Sequence, residues 1–227
     1  MNSAGARAMA AQTRAAYERW APRYPPCAHN PLMRAEQAAM LSLWPPVRGR
    51  RVLDLACGSG RYARLLAGQH AAHVVALDEC AAMLAQVSGA TRVRGTMMAL
   101  PFADGAFDVV VCGLAVGHAF DLPRWMSEVA RVLKPGGALL YSDFHPAAAA
   151  AGLPRSFKDE DNRAVTVPHA RHELAAQLQA AAAAKLRVEA VREVRAGLEL
   201  AEEFPHSAEF YARWHGLPLV LVVRARR

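Results

Sequence analysis

The sequence predicts an α/β protein built on a mostly parallel sheet, and three observations support this fold class. From Arg51 onward, short apolar runs alternate with helical stretches, which is the pattern of consecutive βαβ units. The chain has 227 residues, enough for one such domain with additions, since a domain usually takes ~100–200 residues. Hydrophobic residues make up 53% and charged residues 21%, as in a globular protein with a sizeable core.

Two helices are predicted before the sheet begins. Residues 2–20 have the pattern of an amphipathic helix, and a proline-rich stretch follows it. A second helix is predicted over residues 32–44, where a pair of prolines ends it. We therefore expect residues 1–50 to form a helical cover and residues 51–227 to form the core of one overall domain.

The core elements follow in alternation. Strands are predicted at 51–56, 73–78, 91–95, 107–113 and 138–144, with helices from Gly60, from Glu79 and over 122–133. The pattern lapses near residues 146–170, which we interpret as a polar insertion with little periodicity. A helix at 171–184, a strand at 186–192, a short helix at 207–214 and a last strand at 217–225 complete the chain.

The most informative segment runs from Val52 to Gly60, where a buried strand leads into a glycine turn and then a helix. Glycines at this point let the backbone approach a ligand, and the helix N-terminus offers free N–H groups. The string from Gly58 to Ala63 also satisfies G-x-G-x-x-A, so a nicotinamide dinucleotide site stays open as an alternative. A glycine turn without any ligand is open as well.

Asp78 ends the second predicted strand, 20 residues beyond Gly58. An acid at the tip of this strand can accept hydrogen bonds from both hydroxyls of a ribose. Asp78 can also cap the helix predicted from Glu79, because aspartate is a good N-cap residue. The two roles are compatible.

With these segments in view, the sequence resembles the class I S-adenosylmethionine-dependent methyltransferases, especially the small bacterial enzymes related to the ubiquinone and biotin pathways. Four segments carry the resemblance, in order: VLDLACGSGRYARLLA, VVALDECAAML, ALPFADGAFDVVVCG and EVARVLKPGGALLYSDF. The resemblance extends from about Tyr17 to Arg224. It implies a Rossmann-like three-layer sandwich with a seven-stranded, mostly parallel sheet whose last strand is antiparallel, and S-adenosylmethionine as the cofactor.

The resemblance also implies which residues contact the cofactor. The residues expected at its methionine part are Asp54, Ala56, Gly58, Ser59 and Gly60. Asp78 and its neighbour Glu79 are expected at the ribose, Met83 at the adenine, and Cys112 and Leu114 near the sulfonium. Thr96 and Met97 stand where the family commonly has a Gly-Asp pair, so the Thr96 hydroxyl and the Met97 amide are expected to replace the acid at the adenine.

Methyl transfer needs few polar residues, because the methyl group is already activated and positioning supplies much of the rate. A general base helps only when the acceptor must lose a proton. His118 and His145 are the candidate catalytic residues, since each follows a strand at the edge of the sheet where ligands gather. For either one, a hydrogen-bonded structural histidine is the competing interpretation.

The aromatic residues Tyr17, Trp20 and Tyr24 precede the core in a segment that resembles the mobile cover of these enzymes. Such a cover excludes water and shapes the acceptor pocket. Plain packing of an amphipathic helix is the alternative. The insertion at 146–170 is expected to form the other wall and to decide the substrate.

Composition bounds the remaining choices. The net charge is +7, but only three of the 27 basic residues are lysines and the basic residues are dispersed, so a nucleic-acid partner is not expected. Apolar runs are too short for a membrane span, and the four scattered cysteines do not have metal-binding spacing. We therefore expect a cytoplasmic, metal-free enzyme whose oligomeric state is open.

The function that these observations predict is methyl transfer to an oxygen or nitrogen atom of a small-molecule acceptor. An NAD(P)-dependent oxidoreductase and a methyltransferase acting on nucleic acid are the alternative enzymes. A protein that binds the cofactor without catalysis is a third possibility.

Overall fold

The computed structural model, which describes residues 3–204 and 206–227, contains one large sheet and a small hairpin. The strands of the sheet are β1 (Arg51–Leu55), β2 (His73–Asp78), β3 (Thr91–Arg94), β4 (Phe107–Cys112), β5 (Leu133–Phe144), β8 (Arg187–Arg195) and β9 (Pro218–Arg226), while β6 (Ser156–Lys158) and β7 (Ala164–Thr166) form the hairpin.

The large sheet has the strand order β3-β2-β1-β4-β5-β9-β8. Strands β1 to β5 are parallel to one another, whereas β9 is antiparallel to both β5 and β8. This confirms the predicted seven-stranded sheet with an antiparallel last strand. The order reverses between β1 and β4, and ligands bind beside such a reversal at the carboxyl ends of the strands.

Helices lie between the strands and before them. They are α1 (Ser3–Trp20), α2 (Pro31–Ser42), α3 (Arg61–Gly68), α4 (Ala81–Leu84), α5 (Leu122–Val132), α6 (Pro146–Ala150), α7 (Leu174–Ala183), α8 (Leu198–Glu202) and α9 (Ser207–Trp214), with 3-10 turns at Ala21–Arg23 and Val116–His118. In the described part of the chain, none of these helices is long and apolar enough to cross a membrane.

Two hydrophobic cores cover the two faces of the sheet, which makes the fold a three-layer sandwich. Side chains alternate along a strand, so in β1 Leu53 and Leu55 enter one core while Val52 enters the other. The first core includes Trp125 of α5, and the second includes Tyr62 of α3.

The structure differs from the sequence-based expectations in several elements. The helix expected from Glu79 is the single turn α4. The helix expected to reach Leu133 ends at Val132, and β5 begins at Leu133, two residues before Pro135. The insertion contains the hairpin β6–β7, whose three-residue strands are too short to show a periodic pattern. Helix α8 was not predicted for the same reason.

Candidate active site

A cavity of about 940 Å³ lies at the carboxyl edge of the parallel strands, beside the ends of β1, β2 and β4. The floor is formed by the loops that follow these three strands. Helix α1 and the loop between α6 and β6 line the opposite side. The strand reversal and the cavity therefore coincide.

The glycine turn after β1 lies at the cavity floor. Gly58 has a φ of +55°, and a Cβ built at this residue would meet no atom within 4 Å, so the backbone borders open space. Gly60 has a φ of +84° and a Cβ there would lie 3.1 Å from Val87, so this glycine serves the packing of the turn and does not line the cavity. Ala56 and Ser59 do line it.

Asp78 is joined to the glycine turn. Its Oδ2 atom accepts a hydrogen bond from the Gly58 amide and its Oδ1 atom accepts one from the Cys80 amide, both at 2.8 Å. Burial raises the pKa of Asp78, and these amide hydrogen bonds oppose the rise. Each carboxylate oxygen keeps a further lone pair with which it can accept a hydrogen bond from a ligand. The helix cap expected from Asp78 is therefore its hydrogen bond with the amide of Cys80, the residue that precedes α4.

The end of the cavity beyond Asp78 has both apolar and polar walls. Met83, Thr96 and Met97 line it, as does Glu79, which forms an ion pair of 3.4 Å with Arg14 of α1. The Thr96 hydroxyl oxygen accepts a hydrogen bond of 3.3 Å from the Met98 amide. The structure therefore brings all four predicted residues to one end of the cavity.

Asp54 of β1 is the buried acid of the floor. Its carboxyl group is 1% exposed and accepts a hydrogen bond of 2.7 Å from the Ala63 amide at the start of α3. Burial raises the pKa of Asp54 to about 7, an increase that the Ala63 hydrogen bond and the charge of Arg61 reduce. Asp54 can therefore exchange a proton near neutral pH.

Two predicted neighbours at the end of β4 are placed differently. Leu114 lines the cavity in a left-handed conformation with a φ of +54°. Cys112 does not line the cavity: it is fully buried in the core beneath α5, on the face of the sheet that its position in β4 dictates. The expectation that Cys112 contacts the cofactor is wrong for this reason.

A buried polar cluster, which was not predicted from the sequence, holds the backbone of Leu114 through a hydrogen bond. Glu36 of α2 forms an ion pair of 2.8 Å with Arg61, and it accepts hydrogen bonds from the hydroxyls of Tyr62 and Ser142. The Ser142 hydroxyl in turn accepts a hydrogen bond of 2.9 Å from the Leu114 amide. An acid on the apolar stripe of α2, three residues after Met33 and four before Met40, was the signal in the sequence.

His118 lies with Tyr17 and Arg155 at the part of the cavity where the sequence predicts the acceptor, and we call these three residues the acceptor end. Its Nε2 atom is 3.0 Å from the Tyr17 hydroxyl and 3.3 Å from Arg155 Nη1. Burial and then the charge of Arg155 hold the pKa of His118 well below its usual value. His118 is therefore a neutral hydrogen-bond acceptor and a weak base.

His145 does not line the cavity. Its Nδ1 atom accepts a hydrogen bond of 3.1 Å from the Ala147 amide and caps α6, and its Nε2 atom lies 3.3 Å from Glu193 of β8. The proline at the first position of α6 starts a helix there, which turns the imidazole toward β8. The expectation that His145 is catalytic is contradicted by this position.

The three aromatic residues expected in the cover, Tyr17, Trp20 and Tyr24, all line the cavity. Trp20 stacks on Phe157 of the hairpin, with ring centroids 4.6 Å apart and an interplanar angle of 7°. Next to this stack, Arg19 forms an ion pair of 2.7 Å with Asp159. Helix α1 and the hairpin therefore meet over the cavity.

The fold and this site together define a class of protein. An open α/β sheet with a glycine turn at its strand reversal, and an acid at the end of the next strand, is an arrangement that binds a nucleoside-containing cofactor. The comparisons with known proteins then show which proteins this chain is similar to.

Residues 53–141 match the family of the methyltransferase domain. The chain is 36% identical over 121 residues to a 2-phytyl-1,4-naphtoquinone methyltransferase of Synechocystis sp., covering 47% of this chain and 50% of that protein. It is 35% identical over 115 residues to a malonyl-[acyl-carrier protein] O-methyltransferase of Pectobacterium atrosepticum, covering 49% and 45%. The chain thus spans about half the length of the curated relatives it matches.

Among solved structures, an S-adenosylmethionine-dependent methyltransferase from Mesorhizobium loti aligns with a TM-score of 0.70 and 26% identity, covering 85% of this chain and 98% of that one. A second such structure, from Listeria monocytogenes, aligns with a TM-score of 0.68 and 20% identity, covering 86% and 97%, which reflects the shared fold. Residues 53–141 thus match the methyltransferase domain, and the solved structure from Mesorhizobium loti that aligns over most of the chain is an S-adenosylmethionine-dependent methyltransferase.

Proposed function

We propose that this chain transfers a methyl group from S-adenosylmethionine to an oxygen or nitrogen atom of a small-molecule acceptor. The observation that carries the proposal is the hydrogen bond between the Gly58 amide and Asp78. At this point the Gly58 backbone borders open space, and the Asp78 carboxylate has further lone pairs that can accept hydrogen bonds from a ligand. The names of the two relatives refer to a quinone and to a protein-bound malonyl group, so acceptors within the family differ widely.

The residues around the junction fit the cofactor. Asp78, with Glu79 beside it, would accept hydrogen bonds from the ribose hydroxyls, and Met83 and Met97 would enclose the adenine with Thr96 at its edge. The Asp54 carboxyl group would face the amino group of the methionine part, above the turn formed by Ala56, Gly58, Ser59 and Gly60. Leu114 would lie near the reacting centre.

When bound, the cofactor supplies a methyl group on a positively charged sulfur, which an acceptor can take by in-line displacement. The protein contributes by holding the acceptor in line and by excluding water, and well-oriented pairs in model systems reach effective molarities of up to ~10⁵–10⁸ M. Nothing in this scheme requires a charged catalytic histidine.

Two segments would control access to the cavity. We assign residues 1–50 as a helical cover over the core of residues 51–227, because Tyr17, Trp20 and Tyr24 line the cavity from above. The insertion of residues 146–170 would form the facing wall through residues 153–156, while Phe157 and Asp159 hold it against α1. A cytoplasmic location and the absence of a nucleic-acid partner stay predictions from the sequence.

The test compares two glycines that share a left-handed backbone. Gly58→Ala would place a methyl group in the cavity, whereas Gly49→Ala, at a φ of +70° with nothing within 4 Å of its Cβ, would add the same backbone strain outside it. Each change is expected to cost roughly 1–2 kcal/mol of stability. Calorimetry with S-adenosylhomocysteine should show a loss of affinity of at least about tenfold in Gly58→Ala alone.

The same titrations with NADH address the main alternative. The wild-type protein is expected to bind S-adenosylmethionine and its demethylated product, with NADH binding undetected under the same conditions. Tighter binding of NADH than of S-adenosylmethionine, or equal cofactor affinity in both glycine variants, would overturn the proposed site.

A further inference from the structure

Arg155 is an arginine of the insertion whose side chain is buried at the acceptor end of the cavity. It is 6% exposed and lies between α6 and β6, far in sequence from the motifs of the parallel strands. Its guanidinium group lies 4.5 Å above the ring of Phe144, which also lines the cavity. A buried cation thus lies in the cavity wall next to an aromatic ring.

The guanidinium group has five N–H donors, and its described partners do not use them all. Nη1 donates to the Leu114 carbonyl at 2.6 Å and lies 3.3 Å from His118 Nε2, and Nη2 donates to the Asp143 carboxylate. The buried Nε atom has no hydrogen-bond partner among the described residues. An unused donor on a buried cation is costly, and a bound ligand is one way to satisfy it.

The groups that contact Arg155 are poor proton acceptors. Burial and the guanidinium charge keep His118 neutral, and burial raises the pKa of the Tyr17 hydroxyl. The Asp143 carboxylate already accepts hydrogen bonds from Arg155 and from the amides of Gly117 and Phe144. An acceptor that must lose a proton would find little help at this end of the cavity.

The remaining walls favour an apolar body. Trp20, Tyr24, Leu32, Leu153 and Phe204 line the same cavity as Arg155 and His118. Asp143 already forms an ion pair with the guanidinium group, but the unused Nε donor remains. An anion would gain a charge-assisted hydrogen bond from this donor, whereas a positively charged amine has no lone pair with which to accept it.

We propose that the acceptor is an apolar molecule whose acceptor oxygen is already an anion, and that Arg155 binds this oxyanion next to the transferred methyl group. The inference rests on the proposed function and narrows it from oxygen or nitrogen to oxygen. A carboxylate or the anion of an acidic phenol or enol satisfies this chemistry.

The step balances without a base. The anionic oxygen gives an electron pair to the methyl carbon, and the carbon–sulfur bond breaks with its pair remaining on sulfur. The negative charge of the acceptor and the positive charge of the sulfonium both disappear, which leaves a methyl ester or ether and a neutral thioether. No proton is released.

The test measures binding of matched probes by calorimetry, with S-adenosylhomocysteine present at saturation. Octanoate and 2-naphthoate are compared with octylamine and 2-naphthylmethylamine, which have similar apolar bodies and the opposite charge. We expect at least one acid to bind about tenfold or more tightly than its matched amine, and Arg155→Gln to remove that preference. The affinity for S-adenosylhomocysteine should change little in the variant.

Arg7→Gln is the matched control, because it removes the same charge from an exposed residue of α1 that also lines the cavity. It should keep the preference for acids. If Arg155→Gln fails to fold because Asp143 is left unpaired, the double variant Arg155→Gln/Asp143→Asn removes both charges together. Retention of the preference in the folded variant would overturn the inference.

Two further results would also overturn it: amines that bind as tightly as acids, or acids that do not bind at millimolar concentration. Failure of the proposed function is recognised separately, because S-adenosylhomocysteine would then not bind to the wild-type protein at all.

Discussion

The Gly58 amide donates a hydrogen bond of 2.8 Å to Asp78 Oδ2, so a single contact joins the turn after β1 to the tip of β2. The two residues are 20 positions apart in the chain, and β1 and β2 are paired in parallel register, with Asp54 opposite Ala76. The carboxylate therefore has two tasks, since it fixes the glycine turn and offers its remaining lone pairs to the cavity.

Replacing Asp78 by alanine is expected to weaken cofactor binding and to destabilise the fold. Loss of the hydrogen bonds that the ribose hydroxyls would donate to this charged acceptor should cost ~1.5–3 kcal/mol, which weakens S-adenosylhomocysteine binding on the order of tenfold to a hundredfold. The thermal midpoint should also fall, because the amides of Gly58 and Cys80 lose their partner. Asp104→Ala, at an exposed acid paired with Arg131, serves as the control. Unchanged affinity in folded Asp78→Ala would limit Asp78 to a structural role.

The stability of the cofactor-free protein should depend on pH through Asp54. Its pKa is about 7 in the folded protein against 3.8 for the free group, so between these values only the unfolded chain releases the proton. The stabilisation is complete below pH 3.8 and is lost as the pH rises through 7, by at most about 4 kcal/mol.

Chemical denaturation between pH 4 and pH 8 checks this sign. The free energy of unfolding of the wild-type protein should fall with pH relative to Asp54→Asn, which cannot titrate. Parallel pH profiles for the two proteins would show that Asp54 ionises at its ordinary pKa.

His118 is expected to stay neutral across the physiological range. Because its pKa lies well below 6.5 in the folded protein, the unfolded chain alone takes up a proton near pH 6.5. The stabilisation from a neutral His118 is therefore present above pH 6.5 and is lost as the pH falls further.

Nuclear magnetic resonance titration of the His118 ring, assigned with His118→Gln, measures this directly. The pH–rate profile should accordingly lack a limb due to His118 between pH 6 and 8, and His118→Gln should keep most of the turnover because it retains a hydrogen-bond acceptor. A ring that titrates near pH 6.5, with a rate limb that disappears in the variant, would restore His118 as a general base.

The contact between α1 and the hairpin is expected to control cofactor release. The Asp159 side chain is 3% exposed and binds Arg19, while its carbonyl group accepts a hydrogen bond of 3.1 Å from Arg23. Asp159→Asn should weaken this contact and speed release of S-adenosylhomocysteine severalfold, as measured by stopped flow. Asp161→Asn removes the same charge from the same hairpin at a 59% exposed side chain and should have little effect.

Deletion of residues 1–24 extends this test. The shortened chain should keep its sheet by circular dichroism and lose turnover more than stability, because water exclusion is lost. A shortened chain that does not fold would assign α1 to the core, and one with normal turnover would remove the cover from the mechanism.

Local patterns in the sequence were sufficient for the sheet, the glycine turn and the acid at the tip of β2. Alternation of strands and helices is a property of neighbouring residues, so the order of the elements could be predicted without the structure. The spacing between Gly58 and Asp78 follows from one βαβ unit of ordinary length, which is why these residues were found from the motif.

The acceptor end depended on the tertiary structure. Arg155 comes from an insertion without periodicity, and it reaches His118 and Asp143 only because the hairpin folds back over the ends of β4 and β5. Cys112 and His145 lie at the strand ends that border the cavity, but their side chains do not face it. The pleat of β4 and the start of α6 turn them away. Sequence periodicity determined which segments meet at the edge of the sheet, and long-range packing alone decided which side chains face the cavity.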